Sequence, residues 1–178
     1  PHFNILYSNL ALAYKDSGDI RNSIKYYKLA IEKNPQDEVP LNQIGQLFRE
    51  LNNLKNASIY FIKAIELKPN EKSFRLFLAK SLYHINDKNS HSESIKILWS
   101  YIKEDDFPYE AWHYLGLNYG KLKKPDFSSY ALAEKYLLVN QIKNAKIHIQ
   151  RVKKYTKDPV LKNKIIDLEK EILKRKSQ

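Results

Sequence analysis

Apolar residues recur along almost the whole chain at spacings of three and four, with polar residues filling the faces between them, the signature of successive amphipathic helices. Residues 4 to 17 ("NILYSNLALAYKDS") put Leu6, Leu10, Ala13 and Tyr14 on one face, and Gly18 stops the run. Residues 20 to 33 ("IRNSIKYYKLAIEK") repeat the period with Ile20, Ile24, Tyr27 and Ile31 until Pro35, which cannot continue a helix. A helical hairpin is predicted. The same pair returns over 38 to 51 and 54 to 67, closed by Pro69, and again over 71 to 84 and 92 to 104. In that third pair "INDKNSHSE" reads as a polar connection about three residues over the period. A further first helix covers 109 to 122 and a second 126 to 138.

The periodicity is also literal. "YYKLAIEKNP" at 26 to 35 returns as "YFIKAIELKP" at 60 to 69, displaced by 34. A fixed period of this length means stacked helical pairs, each burying its apolar face on its neighbours. Small residues are expected where the helices of a pair touch (Ala11, Gly45, Ala79, Gly116) and where the next pair approaches (Ala30, Ala64). The last third is less regular. "YALAEKYLLVNQIKNAKIHI" reads like a first helix followed by a second, with Ala133, Tyr136 and Ala145 at the repeat offsets, so the helix over 126 to 138 fits two frames at once. "DPVLKNKIIDLEKEILKRK" predicts a final helix with Asp158 near its start, Pro159 in its first turn and an apolar stripe of Leu161, Ile165, Leu168 and Ile172.

The helix over 109 to 122 carries the pattern W-x2-L-G-x2-Y as Trp112, Leu115, Gly116 and Tyr119. With the 34-residue period, this makes the chain resemble the tetratricopeptide repeat (TPR) family over essentially its whole length. The third repeat departs from the pattern, with Ser94 and Asp106 where Ala and Pro are usual. The resemblance implies an all-α, right-handed solenoid of about ten antiparallel helices in a single domain, 1–178. Its repeats lie at about 4–37, 38–71, 72–107, 109–140 and 141–157, with a capping helix at 158–176. It also implies a protein or peptide partner on the concave face, lined by the first helix of each pair. Inner positions there are Ser8, Asn9, Leu12 and Lys15, then Asn42, Gln43, Gln46 and Arg49, then Phe77, Lys80, Tyr83 and His84, and finally His113, Tyr114 and Leu117. Amides suit a peptide backbone, aromatics its side chains, and Arg49 or Lys80 a carboxylate. The two-carboxylate clamp of TPR co-chaperones is missing, because its positions carry Ser8, Leu12, Gln43, Ser73 and Phe77.

A narrower resemblance covers about residues 34 to 155. The order "SIKILWSYIKED", "EAWHYLGLNYGKL" and "YALAEKYLLVNQIKNAKIHIQRVKK" is similar to the C-terminal TPR domain of bacterial zincin metallopeptidases of the periplasm. It implies a peptidase domain upstream of Pro1 and a periplasmic location, with a cytoplasmic one still open. The opening "PHFNILY", without Met, reads as a piece of a longer protein, any targeting segment lying outside these residues.

With 178 residues, 43% hydrophobic and 12% aromatic, the chain can bury a sizeable core, and no apolar run is long enough to span a membrane. Cysteine is absent, so disulfides and thiolate metal sites are excluded. No H-E-x-x-H occurs, and His2, His84, His91, His113 and His148 are scattered singly, which predicts no metal site. Gly18, Gly45, Gly116 and Gly120 form no phosphate-cradling loop, and "EDD" at 104 to 106 falls at a helix end, so neither a cofactor nor catalysis is expected from this chain. The charge of +11 is uneven: residues 141 to 178 hold 12 Lys and Arg against 4 Asp and Glu. Lys143, Lys146, Arg151, Lys153, Lys154 and Lys157 lie along one helix, and nucleic-acid binding through them is the minor alternative, weakened by the single neighbouring aromatic, Tyr155.

Overall fold

The computed structural model describes residues 3–176, and these residues form ten helices and no strand. They are α1 (Phe3–Asp16), α2 (Ile20–Lys33), α3 (Glu38–Glu50), α4 (Leu54–Leu67), α5 (Lys72–Ile85), α6 (Lys88–Glu104), α7 (Tyr109–Lys121), α8 (Pro125–Leu138), α9 (Ile142–Tyr155) and α10 (Pro159–Lys176). The all-α class follows the sequence pattern.

Short turns separate many of the helices, and a left-handed residue marks each of five of them. Positive φ occurs at Gly18, Asn52, Asn86, Lys123 and Asn140, a conformation that Gly and Asn reach at least steric cost. At four of these turns the hydrogen bonds repeat: the left-handed N–H donates to the carbonyl three residues back, and the next N–H to the carbonyl five back, as in Asn52 to Arg49 and Asn53 to Phe48. Gly18, Asn52 and Asn86 are spaced by the 34-residue period.

That register corrects the reading of "INDKNSHSE" as a lengthened connection. The residues from Lys88 onward are helical, and α6 has 17 residues where α2 and α4 have 14. The extra residues are helix, because Asp87 starts it early: its carboxylate accepts from the N–H groups of Asn89 and Ser90, both at 2.9 Å. Polar composition alone hid the additional turn. Asp19, Asn53 and Asp158 cap α2, α4 and α10 in the same way, each contributing about 1 kcal/mol.

The helices group into two compact units, Pro1–Ile85 and Asn86–Gln178. In the first, α1 packs on α2 and α3 on α4, while α2 against α3 and α4 against α5 join the pairs. Ala11, Ala30, Ala57, Ala64 and Ala79 are fully buried. At Gly45 a Cβ would stand 2.8 Å from the Phe61 ring, so only glycine lets α3 and α4 approach this closely.

In the second unit α7 packs on α6 and α8, and α8 on both α7 and α9. The helix that fits two frames in the sequence therefore pairs with both the preceding and the following helix. Its buried residues, among them Tyr130, Ala131, Ala133, Lys135 and Leu137, lie all round its circumference. Gly116 sits against Leu132, and Ser128 Oγ donates to the Gly116 carbonyl at 2.8 Å. Trp112 meets Trp99 and Tyr130 edge to face, and Trp99 Nε1 donates to Tyr119 Oη at 3.0 Å. The helix α10 lies on α8 and α9. Its predicted stripe, Leu161, Ile165, Leu168 and Ile172, is buried to 5% exposure or less.

Candidate functional site

In the first unit the candidate residues come from α1, α3 and α5. The α1/α3 seam is pinned at both ends: Asn4 Nδ2 donates to Asp37 at 3.0 Å, and Lys15 Nζ donates to Glu50 at 3.2 Å. Between those pins Asn9 and Leu12 are exposed, while Gln43 and Gln46 are half-buried. Along α3 and α5 the arrangement is built outward from the core. Gly45 admits the Phe61 ring, Phe61 stacks on Phe77 at 5.6 Å, and the Arg49 guanidinium lies 5.4 Å from the Phe77 centroid. Lys80 Nζ stands 6.0 Å from the same centroid, with its side chain buried to 8% exposure. Two cations therefore flank one aromatic ring.

Tyr83 and His84 follow one turn later on α5, in edge-to-face contact at 4.9 Å. Partial burial, followed by the charge of Arg49, holds the His84 imidazole below its ordinary pKa. At neutral pH it is a neutral donor and acceptor. Among the described residues, Ser8 Oγ on α1 and Asn42 Oδ1 and Arg49 Nε on α3 are shielded and have no hydrogen-bond partner, as is also the case for Ser23 Oγ on α2. A buried unsatisfied polar atom costs about 1–3 kcal/mol. This seam is thus chemically incomplete, with an acceptor and two donors left over.

The second unit holds His113 and Tyr114 on α7, both half-buried. His113 Nδ1 lies 3.3 Å from Lys135 Nζ of α8. Lys135, which sequence reasoning missed, is buried to 9% exposure, with its ammonium 5.2 Å from the Tyr109 ring centroid and 4.9 Å from that of Tyr136. Tyr136 in turn stacks on His148 of α9 at 5.4 Å. Burial, then the charges of Arg151 and Lys135, push the His148 pKa down.

The same unit buries a second polar group around Asn118. Its Oδ1 is 2.9 Å from His91 Nδ1, and its Nδ2 donates to Ser94 Oγ at 3.0 Å and to the Tyr114 carbonyl at 2.8 Å. Ser94, the residue that departs from the repeat pattern, is thereby explained as a partner for Asn118. The basic helix α9 is partly neutralised, since Lys153 pairs with Glu169 at 2.6 Å. Among the described residues no three His, Cys, Asp or Glu side chains cluster as a metal site would require, and no helix is long and apolar enough to cross a membrane. His2 lies outside the described residues.

Known proteins share the helical-repeat fold. The tetratricopeptide repeat model matches residues 6–37 and 40–71, supporting that family for the first two repeats. A segment of 77 residues is 30% identical to human general transcription factor 3C polypeptide 3, covering 43% of this chain and 9% of that protein. The chain thus spans about a tenth of that relative's length. Among solved structures, MamA from Desulfovibrio magneticus RS-1 superposes with a TM-score of 0.73 at 18% identity, over 96% of this chain and 97% of that one. YrrB, described as a TPR protein with an unusual peptide-binding site, gives 0.67 at 16% identity over 97% and 91%. At these identities the likeness establishes the fold, a TPR-like helical solenoid.

Proposed function

We propose that this chain is a non-catalytic protein-interaction scaffold that takes an extended peptide segment of a partner along the first helices of its repeats. The observation that carries the reading is the set of orphaned polar atoms, Ser8 Oγ, Asn42 Oδ1 and Arg49 Nε, on α1 and α3. A peptide backbone offers one N–H and one C=O per residue and completes such a seam directly. The neighbouring Phe77, with Arg49 and Lys80 beside it, adds a surface for side chains. TPR folds are generally interaction modules, and the description of YrrB as peptide-binding points the same way for a similar fold.

The finer reading is that the scaffold is the TPR part of a bacterial zinc metallopeptidase, recruiting substrate or an assembly partner. It rests on the order of "EAWHYLGLNYGKL" and "YALAEKYLL", and an H-E-x-x-H upstream in the same reading frame would support it. A start codon immediately before Pro1 would leave the free-standing scaffold instead.

The test is a photo-crosslinking residue at Gln46 in the full chain, with one at exposed Glu66 of α4 as the control, in extract of the source organism. The protein captured from Gln46 alone is then assayed against an Arg49→Ala/Tyr83→Ala double variant. Loss of binding with an unchanged melting temperature is the expected result. Capture from both positions alike, or binding lost only on charge reversal along residues 143–157, would move the surface elsewhere.

A further inference from the structure

The ammonium of Lys135 has no carboxylate partner among the described residues, although its side chain is nine-tenths buried. Such a charge is costly to shield from water unless something pairs with it. What it has is one imidazole nitrogen, His113 Nδ1 at 3.3 Å, and the faces of Tyr109 and Tyr136 at 5.2 and 4.9 Å. An ammonium carries three donors. His113 accepts one, and the rings offer negative faces rather than lone pairs, so hydrogen-bonding capacity remains.

We infer that Lys135, rimmed by Tyr109, His113, Tyr136 and His148, is a receptor for a single carboxylate of a bound peptide. The inference rests on the peptide-scaffold reading and gives its second unit a ligand chemistry. The rim residues are half-buried rather than closed over, and Lys135 keeps 9% of its surface exposed. His148 Nδ1 is shielded and has no hydrogen-bond partner among the described residues, so the same cluster also holds an unsatisfied ring nitrogen. The surrounding charge favours an anion. Arg151 acts on the same imidazole, and residues 86 to 178 carry 19 Lys and Arg against 12 Asp and Glu. A lone ammonium among imidazoles suits a monoanion, whereas a phosphate dianion is usually met by several cations or a bidentate Arg.

The carboxylate can come from an acidic side chain or from a peptide C-terminus, and small probes separate the two. The full chain, labelled with nitrogen-15, would be titrated with N-acetylglutamate α-amide, N-acetylglutamine, the neutral N-acetylglutamine amide and inorganic phosphate, following the ring signals of His113 and His148. Saturable shifts from the first probe mark a side-chain carboxylate, and from the second a terminal one. The neutral amide is expected to leave the signals in place. In Lys135→Met and Lys135→Gln, each checked for a retained cooperative melt, half-saturation should need at least about tenfold more probe. Absence of a saturable shift up to about 100 mM, equal response to the neutral amide, tighter binding of phosphate than of both carboxylates, or unchanged affinity in both Lys135 variants would each overturn the assignment. The probes report on this cluster even if crosslinking from Gln46 captures nothing, so failure of the scaffold reading and failure of this one are distinguishable.

Discussion

Where one helix of a pair leans on the next, α3 places Gly45 under the Phe61 ring, an apolar contact. At the corresponding place α7 sets Gly116 against Leu132, but next to it Asn118 is fully buried and hydrogen-bonded to His91 and Ser94. The first unit specifies its stack by size, small against large at a fixed period, and this is the part that the tetratricopeptide repeat model matches. The second departs from that pattern and specifies its packing by buried hydrogen bonds as well. Size complementarity is forgiving and repeats well, whereas a buried polar network fixes one arrangement and suffers most when one member is removed.

The comparison breaks hardest at Asn118. Replacing it with Ala removes one hydrogen bond from each of His91 and Ser94 together, and a loss of about 2–3 kcal/mol is expected from the broken buried network and a small cavity. Chemical denaturation, with hydrogen exchange read over α6 and α7, would measure it. A loss under about 1 kcal/mol would mean that the network is dispensable and that both units are held by shape.

In the first unit the equivalent stress is overpacking. Ala64 is fully buried beside Leu41 and Phe74, and Ala64→Leu should cost about 1–3 kcal/mol by pushing α4 away from its neighbours. Increased exchange in α3 to α5 would identify the cause. A neutral result would show unoccupied space that the packing does not suggest.

Asp87 tests the added turn of α6. Removing its carboxylate by Asp87→Ala should cost about 1 kcal/mol and release the amides of Asn89 and Ser90 to fast exchange. If those amides stay protected, the helix start is held by something other than its cap.

The stack was largely legible in the sequence because steric periodicity is written residue by residue: Gly45, Ala64 and the stripe from Leu161 to Ile172 each occupy the buried position that spacing assigns. The start of α6 was not, since its first turn is polar throughout and its cap competes with a loop reading of the same residues. For the candidate site, spacing along α3 and α5 put Arg49, Phe77 and Lys80 in one neighbourhood, and the rings and cations meet there. Lys135 escaped notice because a lysine inside an amphipathic pattern reads as solvated. A signal did exist for the other buried cluster. Ser94 stands where the repeat wants Ala, and Asn118 lies between Leu117 and Tyr119 in the most regular motif of the chain.

The smallest expected effect sharpens the comparison through pH. Glu134 on α8 accepts a hydrogen bond from Tyr130 Oη at 2.5 Å. Burial raises its pKa above the ordinary carboxylate value, the Tyr130 hydroxyl opposes this, Glu171 of α10 adds to it, and Lys164 of α10 opposes it. A carboxyl with a raised folded-state pKa contributes its stability in full below the unfolded value, near 4.3–4.5, and loses it as pH rises through the folded value. Stability of the second unit should therefore decline over that interval on going from acid toward neutral, against the general trend set by carboxylates that are hydrogen-bonded in the folded state, such as Asp19 and Asp87, whose pKa values are lowered. Glu134→Gln keeps an acceptor for Tyr130 and removes the titration, so its melting temperature should exceed wild type at pH 7 and converge with it near pH 4. A variant less stable than wild type at pH 7 would mean that the ionised carboxylate is held favourably, with Lys164 outweighing the burial.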